Sequence, residues 1–420
     1  MRMKKNYILI LIFEIGFGLT YNIIGVISIS ELFLFLFGFY LLFDSKILFR
    51  RYPVLKKISW LYLGLLVSQI ISEILVENVL NNALKGIAVT VVSYLHFMFL
   101  FKYFAKDRKL ILFALVGLTI RQLVFGSGMD VETASAEEVL AGEGAVFLKF
   151  YLAGIIVPLL LIISALFLKK RGIIYIIIVA SGLVFVVLGA RSAGLVLVIT
   201  GIISYFVLKG EKINRKQLIT TLVITAILGY GLYVVYVNQV LEGKITAGNN
   251  EQIASLKNPY NPVNLIIFGR TGFFVGWQAF MDSPLIGNGA WSIDVSGKYM
   301  SMYAYFKGDS SGVLADKNRM IPSHSVLVGA GMNNGVFAFV FMFSILFFFI
   351  KTGFKALDKK DPYVAAVVYS ILFILWNGLF SPLPHFKNTL PLYFVIILAS
   401  YIANQRTKIL KDNKQIETKK

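Results

Sequence analysis

The sequence has no cysteine among its 420 residues and only three histidines. The missing cysteines exclude disulfide bonds, thiolate catalysis and cysteine-ligated metal. The histidines are too scattered to form a spaced metal motif, and neither a Walker phosphate loop nor an HExxH helix is present. We therefore expect no cofactor and no metal. Charged residues are also scarce, at 15% against 57% hydrophobic residues, which excludes an ordinary water-facing surface.

Long apolar runs fill most of the chain. Runs of about 17–25 residues recur along its length, each bounded by lysine or arginine, and they predict an all-α polytopic membrane protein with about twelve transmembrane helices. The first run follows a basic start but no small-residue cleavage site, so it is predicted to be an uncleaved helix. The predicted spans cover residues 7–23, 26–43, 58–76, 86–104, 110–126, 147–168, 173–189, 193–208, 217–236, 325–350, 363–380 and 389–403.

Basic residues are distributed unevenly between the predicted loops. The positive-inside rule predicts that both termini are cytoplasmic. The net charge of +19 is thus mainly a topology signal, with attraction to anionic membrane lipids as a secondary effect. Nucleic acid is not an expected partner, because no soluble basic domain with stacking aromatic residues is present. The basic segments that share the predicted cytoplasmic face are the N-terminus, residues 44–57, 102–109, 169–171, 209–216 and 351–361, and the tail from Arg406.

This pattern divides the chain into four predicted parts. Residues 1–236 hold the first nine spans with short loops, and residues 237–322 form one large outward-facing loop with short amphipathic helices. Residues 323–404 hold the last three spans, and residues 405–420 form a basic cytoplasmic tail. A loop of this length without a function is uncommon, so the outward loop is where functional residues are expected.

One stretch of that loop, "FGRTGFFVGWQAFMDSPLIGNG" (residues 268–289), combines an arginine with regularly spaced aromatic residues. The spacing of Phe273, Phe274, Trp277, Phe280 and Met281 predicts a short helix lying in the membrane interface, aromatic side down, and ending at Pro284. The carboxylate at its end, Asp282, is more often a turn or cap residue than a catalytic base.

Arginines at outward helix ends run against the positive-inside bias and need an explanation. Arg191 in "VLGARSAGLVLV" and Arg270 have glycine and serine or threonine nearby, which favours close approach of another group. Arg319 in "ADKNRMIPSHS" lies in a more ordinary polar loop, where contact with lipid headgroups explains it better. Arg121 lies inside a span and is expected to face the protein interior, as an ion-pair partner or a ligand contact.

The histidines differ in position. His96 lies within the fourth span, where packing or a hydrogen bond explains it, and His385 lies in a short outward loop. His324, in "IPSHSVLVGAGMNNG", lies at the outer mouth of the tenth span between Ser323 and Ser325. A histidine at that position is placed for proton transfer.

These motifs, in this order, resemble the O-antigen ligase and O-antigen polymerase family of bacterial envelope glycan assembly. The resemblance covers mainly residues 185–350, and it consists of "ARSAG" at the outer end of a span, "GR…W…DSPLIGNG" in a large outer loop, and "HSVLVGAGMNNGVFAFVFMF" entering the next span. It implies that Arg191 and Arg270 contact a lipid-linked diphosphate and that His324 activates an acceptor hydroxyl. In the family a residue such as asparagine usually follows this histidine, whereas Ser325 follows here.

The resemblance implies a metal-independent glycosyltransferase of the bacterial cell membrane. Its donor would be an undecaprenyl-diphosphate-linked glycan and its acceptor a second glycan, with other polysaccharide-assembly proteins as further partners. A repeat-unit polymerase is the first interpretation, and a ligase differs only in the acceptor. A flippase for lipid-linked oligosaccharide and a purely structural scaffold are the alternatives. The predicted catalytic residues are His324, Arg270 and Arg191, and the predicted substrate-binding residues are Arg191, Arg270, Arg319, Arg121, Trp277 and Asp282.

Overall fold

The computed structural model covers most of the chain. The predicted span 217–236 lies mostly outside the described residues, and the acidic stretch 127–144, predicted from sequence as a solvated outer loop, lies wholly outside them. The described residues are 5–22, 25–126, 151–187, 190–210, 227, 230–231, 233–244, 258–261, 264, 268–307 and 319–417.

The regular structure of the described residues is helical apart from one antiparallel hairpin of β1 (Thr20–Asn22) and β2 (Val26–Ser28) and an isolated bridge between Ile293 and Met320. Each predicted span other than 217–236 overlaps a helix, although residues 26–28 form β2 and residues 147–150 and 188–189 lie outside the described part of the chain. The first span is shorter than predicted, because its helix ends before the hairpin begins. The helices are α1 (Lys5–Gly16), α2 (Ile29–Arg51), α3 (Pro53–Leu75), α4 (Leu80–Phe104), α5 (Leu110–Phe125), α6 (Ala153–Leu166), α7 (Arg171–Val187), α8 (Arg191–Lys209), α9 (Thr271–Asp282), α10 (Lys298–Lys307), α11 (Val326–Ala356), α12 (Val364–Phe380), α13 (His385–Asn388) and α14 (Leu390–Glu417).

Local sequence signals account for the boundary between α2 and α3 and for the start of α2. The Ser28 hydroxyl accepts a bond from the backbone N–H of Glu31 at 3.2 Å, and the Glu31 carboxylate accepts one from the Ser28 N–H at 2.7 Å. This capping box satisfies donors that the first helical turn leaves open. Pro53 begins α3, where a missing N–H costs no helical hydrogen bond. The two helices are therefore separate although only Tyr52 lies between them.

Four helices among the described residues are long and apolar enough to cross a membrane, namely α3, α4, α8 and α11. The segments Ala153–Leu166 and Leu168–Val186 pass the same test together, but they bend by 101° at the break between them, as in a broken span or a re-entrant loop. Helices α5 and α12 are apolar but shorter. The chain thus has helices suited to a membrane protein, while its twelve crossings and its orientation stay predictions.

The basic segments that the charge pattern places on one face meet at one end of the bundle. Arg108 donates two hydrogen bonds to Asp361, at 2.8 and 2.9 Å. Arg171 donates to the Lys359 carbonyl at 3.3 Å, and Arg406 donates to the Tyr52 hydroxyl at 2.7 Å. We call this the basic end and the opposite one the outer end. Helices α3 and α12 start at the basic end, so their C-termini lie at the outer end.

The core is centred on residues 89–104 of α4 and residues 390–400 of α14, most of which are buried. Phe97 and Phe101 of α4 and Phe394 of α14 are completely buried. Phe394 stacks on Phe349 of α11 with ring centroids 4.1 Å apart, and Phe349 in turn contacts Phe97 edge-on at 5.5 Å. A helix that is apolar all round belongs inside a bundle. These helices form the centre of the bundle, and the elements at the outer end pack around it.

Candidate functional site

Helix α11 is interrupted near its outer end. Asn334 and Gly335 leave the helical conformation, and Gly335 has φ +76° and ψ −172°. The predicted span 325–350 coincides with α11, but the Asn-Gly pair divides this helix into a short outer piece and a long inner piece, and only a glycine at position 335 allows the backbone of Leu285 to approach. A break within an apolar helix frees backbone groups that must find partners.

The turn "SPLIGNG" (residues 283–289) supplies those partners. The backbone N–H groups of Asn288 and Gly289 donate to the carbonyls of Met332 and Asn333, both at 2.8 Å. In return, the Val336 N–H donates to the Pro284 carbonyl at 2.7 Å. The turn therefore replaces the missing helical hydrogen bonds of α11. This is the structural role of the second half of the stretch 268–289.

A buried carboxylate on α3 accepts hydrogen bonds both from the break in α11 and from the end of the turn 283–289. Glu73, which is 5% exposed, accepts hydrogen bonds from the Asn334 amide at 2.8 Å and from the Ala290 N–H at 2.9 Å. The Asn78 amide donates to the other carboxylate oxygen at 2.5 Å and to the Ala290 carbonyl at 2.9 Å. Asn334 and Ala290 lie more than two hundred positions from Glu73, so no local sequence pattern identifies these two partners.

Helix α9 packs through its small residues. Gly272, Val275, Gly276 and Ala279 are buried, while Trp277 remains 39% exposed. The predicted aromatic face is divided by the structure: Phe280 is buried and stacks on Phe339 of α11 at 5.3 Å, and Phe274, Trp277 and Met281 stay partly exposed. The glycine face is preferred for packing because it lets the segment 322–324 approach the helix backbone.

Arg270 immediately precedes α9 and lies against the outer end of α12. Its guanidinium carbon lies 5.0 Å from the ring centroid of Trp376 and 5.2 Å from that of Phe380. One guanidinium nitrogen donates to the Phe380 carbonyl at 3.4 Å. The side chain is half-buried. Aromatic faces attract and orient a guanidinium without neutralising its charge. Sequence reasoning missed Trp376 and Phe380, which are ordinary aromatic residues of an apolar span.

His324 lies beside the first turn of α9. A Cβ atom at Gly272 would lie 2.7 Å from Nδ1 of His324, closer than real Cβ contacts, so only glycine allows this approach. Directly after it, the Ser325 hydroxyl accepts from the Val328 N–H and donates to the Gly378 carbonyl, both at 3.0 Å. Ser325 thus caps α11 and ties it to α12. His324 therefore lies near the backbone of α9 two positions after Arg270.

Arg191 is the first residue of α8 and also lies at the outer end. The opposite end of α8 is at the basic end, since a Cβ atom at Gly210 would lie 2.6 Å from the Lys359 ammonium. The Arg191 guanidinium donates to the Tyr236 hydroxyl at 2.9 Å and lies 4.8 Å from the centre of that ring. The structure thus places Arg191 at the same end as Arg270, in contact with the helical segment 233–241.

Asp282 connects α9 to α10. Its carboxylate accepts hydrogen bonds from the Lys298 ammonium at 2.6 Å, from the Tyr299 hydroxyl at 2.8 Å and from the Gln278 amide at 3.0 Å. The hydrogen bond from Lys298, followed by that from Tyr299, holds the pKa of Asp282 below its usual value. An ionised, hydrogen-bonded carboxylate is a poor base, which agrees with the turn or cap role. Arg319 is exposed, and its carbonyl accepts from the Asp294 N–H at 3.0 Å.

Arg121 belongs to a different, interior cluster between α1, α4 and α5. Its guanidinium lies 5.8 Å from the ring centre of Phe17 and within electrostatic range of Glu14. Glu14 and His96 are almost fully buried, with an oxygen and a nitrogen 3.7 Å apart, and His96 Nδ1 lies 3.1 Å from the Lys387 carbonyl oxygen. The structure therefore does not join Arg121 to the α9 site.

At the outer end, the half-buried guanidinium of Arg270 precedes α9 and lies against α12, and the imidazole of His324 lies against Gly272 of α9, which itself packs on α10 and α11. Such a pair can bind an anion and exchange a proton with a neighbouring hydroxyl. Among the described residues, no cluster of three or more acidic residues or histidines could hold a metal ion. Comparison of the chain with models of known protein families found no match, and comparison with curated proteins found none either.

Proposed function

We propose that this protein is an integral-membrane glycosyltransferase of the bacterial cell membrane. It transfers a glycan from undecaprenyl diphosphate to a sugar hydroxyl outside the cytoplasm, as a repeat-unit polymerase for an O-antigen, capsule or exopolysaccharide. The observation that carries the proposal is the approach of His324 to Gly272, two positions from Arg270, at the outer end of a bundle of apolar helices. The family resemblance of residues 185–350 adds the substrate class.

The chemistry needs positioning and charge stabilisation, because the lipid-linked donor already carries an activated glycosyl bond. As the bond between the sugar C1 and the diphosphate oxygen breaks, negative charge grows on the departing diphosphate. Arg270 and Arg191 stabilise that charge through charge-assisted hydrogen bonds. Neutral His324 takes the proton of the acceptor hydroxyl as the new glycosidic bond forms. The products are the extended glycan and undecaprenyl diphosphate.

The remaining predicted binding residues have lesser roles in this proposal. Trp277 presents a partly exposed indole on α9, which suits contact with a sugar face or a lipid chain. Asp282 acts through the shape of the loop, since three side chains already donate to it. Arg319 lies on the rim of the same loop, and Arg121 does not contribute to this site.

The proposal is tested by incubating the purified protein in lipid vesicles with an undecaprenyl-diphosphate-linked repeat unit. A polymerase produces a ladder of longer lipid-linked glycans. The glycans of a deletion strain separate the two acceptors: single repeats accumulate if a polymerase is lost, and finished long chains accumulate if a ligase is lost. No transfer with either acceptor, with wild-type protein folded and donor bound, would contradict a transferase.

One observation favours a second candidate, a flippase for lipid-linked oligosaccharide. Transporters place ionisable residues inside the bundle, and Glu14, His96 and Arg121 form such a cluster. A flippase moves the donor across vesicles without extending its glycan. Translocation of a fluorescent lipid-linked oligosaccharide, with no change in its length, would therefore support the flippase against the transferase.

A further inference from the structure

A shallow apolar cleft of about 290 Å³ lies between α7 and α8, far from the outer-end site. Its walls are Tyr175, Ile176 and Val179 on α7, and Ile202, Tyr205 and Phe206 on α8. Neighbouring residues of α7 outside the cleft are strongly exposed, with Ile173 at 61% and Ile177 at 47%. Exposed apolar side chains on an apolar helix indicate a surface that faces lipid.

Lysines of α8 and of the segment before α7 lie near the end of this cleft that is at the basic end of the bundle. The Lys209 ammonium lies 5.0 Å from the centre of the Tyr205 ring. On the other side, α7 is preceded directly by the short 3-10 helix Leu168–Lys170, which carries two exposed lysines, Lys169 and Lys170. A Cβ atom at Gly172 would lie 3.9 Å from the Tyr205 ring, so this helix start borders the same cleft.

The length of the cleft along the helix axis is close to the thickness of one leaflet of a bilayer. Gly201, the lining residue of α8 farthest from Lys209, lies eight positions before it, or about 12 Å along the axis. Half of a hydrocarbon core measures about 15 Å. An acyl chain that enters beside Lys209 can therefore run down the cleft, while the headgroup of the same lipid stays at the level of the lysines.

We propose that this cleft is a binding site for one anionic phospholipid. The apolar walls take an acyl chain, and Lys170 and Lys209 bind the phosphate-bearing headgroup in the leaflet at the basic end. Charge complementarity selects the occupant: lysines flanking a cleft between membrane helices favour an anionic headgroup over a zwitterionic one. The site is at the opposite end of α8 from Arg191, so it does not rest on the proposed transferase activity.

Native mass spectrometry of the full-length protein in detergent tests the headgroup half of the proposal. The probes are phosphatidylglycerol and phosphatidylcholine with identical acyl chains. Wild-type protein should retain phosphatidylglycerol in preference, and the pair Lys170→Gln with Lys209→Gln should weaken it by about fivefold for each lysine removed. The matched control is Lys351→Gln with Lys355→Gln, which removes two exposed lysines of α11 near the same end. Equal retention of both lipids, or equal loss in the control pair, would overturn the proposal.

A second pair of variants tests the chain half. Ile202→Trp fills the cleft and should lower retention of phosphatidylglycerol with all lysines in place. Ile177→Trp adds the same ring to the lipid-facing surface of α7 and should leave retention unchanged. If Ile202→Trp retains the lipid as well as wild type does, the acyl chain is not in the cleft and the proposed site is wrong. The lysine variants keep the test valid if Ile202→Trp does not fold.

Discussion

Two regions of this protein each hold an arginine and a histidine, and they use them differently. Inside the bundle, Arg121 lies within electrostatic range of Glu14, and a ring nitrogen of His96 lies 3.7 Å from an oxygen of the same carboxylate. At the outer end, Arg270 lies against Trp376 and Phe380, whose rings orient it but carry no formal charge. His324 there lies against the bare backbone of Gly272. The same residue types therefore lie beside a carboxylate in one place, and beside aromatic rings and a glycine backbone in the other.

The largest difference should appear when the two histidines are exchanged for alanine. His324→Ala removes the proposed base and should slow transfer by about a hundred- to ten-thousandfold, while donor binding stays nearly intact. His96→Ala should lower thermal stability but leave transfer per folded molecule close to normal. Both rates are measured on purified, folded protein. His324→Gln adds the decisive control, because glutamine can hydrogen-bond the acceptor but cannot take its proton. Near-normal transfer by the glutamine variant would leave His324 with positioning alone.

Mutation of the interior cluster should mainly lower the stability of the fold. Glu14→Gln removes the carboxylate that offsets two buried cationic or polar partners, and breaking a buried pair typically costs about 3–5 kcal/mol. We expect a much lower melting temperature in detergent. Glu77→Gln makes the same chemical change at an exposed position and should have little effect. If Glu14→Gln melts like wild type yet loses translocation of lipid-linked oligosaccharide, the interior cluster is functional and the flippase gains support.

Arg270→Ala at the outer end should show the reverse pattern: transfer falls and stability is nearly unchanged. Losing one donor to a developing oxyanion costs about 2.7–4 kcal/mol of transition-state stabilisation, so transfer should fall by two to three orders of magnitude without a matching loss of stability. Arg270→Lys should recover only part of the rate, because an ammonium cannot present the planar fork of a guanidinium. Lys244→Ala, another cation of the same outer loop, serves as the control. Unchanged glycan length in Arg270→Ala would reduce Arg270 to a contact with lipid headgroups.

The apolar runs made the helices predictable, and the helical spacing of "TGFFVGWQAFMD" made α9 predictable. The break in α11 was not, since its stability depends on the turn 283–289 and on Glu73, which are distant in sequence from Asn334. The buried face of α9 was predicted from hydrophobicity, but close approach of the segment 322–324 requires Gly272 and Gly276 there. Arg270 and His324 could be identified as candidates from position and charge, whereas the approach of His324 to Gly272 could not.

Gly272→Ala tests that contact with the smallest possible change. The added methyl group would overlap His324, so the imidazole or the helix must shift, at a cost of about 1–3 kcal/mol. We expect a lower maximal transfer rate with donor affinity nearly unchanged. Gly269→Ala is the matched control, because a Cβ atom at Gly269 meets nothing within 4 Å. If both variants transfer equally well, the approach of His324 to α9 does not matter for the rate.

The smallest effect is expected at Asp282, where the pH dependence of stability provides the test. The hydrogen bond from Lys298, followed by that from Tyr299, holds the pKa of Asp282 below the ordinary value of an aspartate. A lowered carboxyl pKa adds stability above the unfolded value, and this contribution is lost as the pH falls through the folded value. The pair is partly exposed, so Asp282→Asn should cost at most about 1 kcal/mol near neutrality and nothing in strong acid. Melting temperatures at both pH values measure this, with Glu242→Gln, another partner in an exposed lysine pair, as the control. A large loss of transfer with unchanged melting would show that Asp282 contacts substrate after all, and that the outer region uses an acidic residue as well.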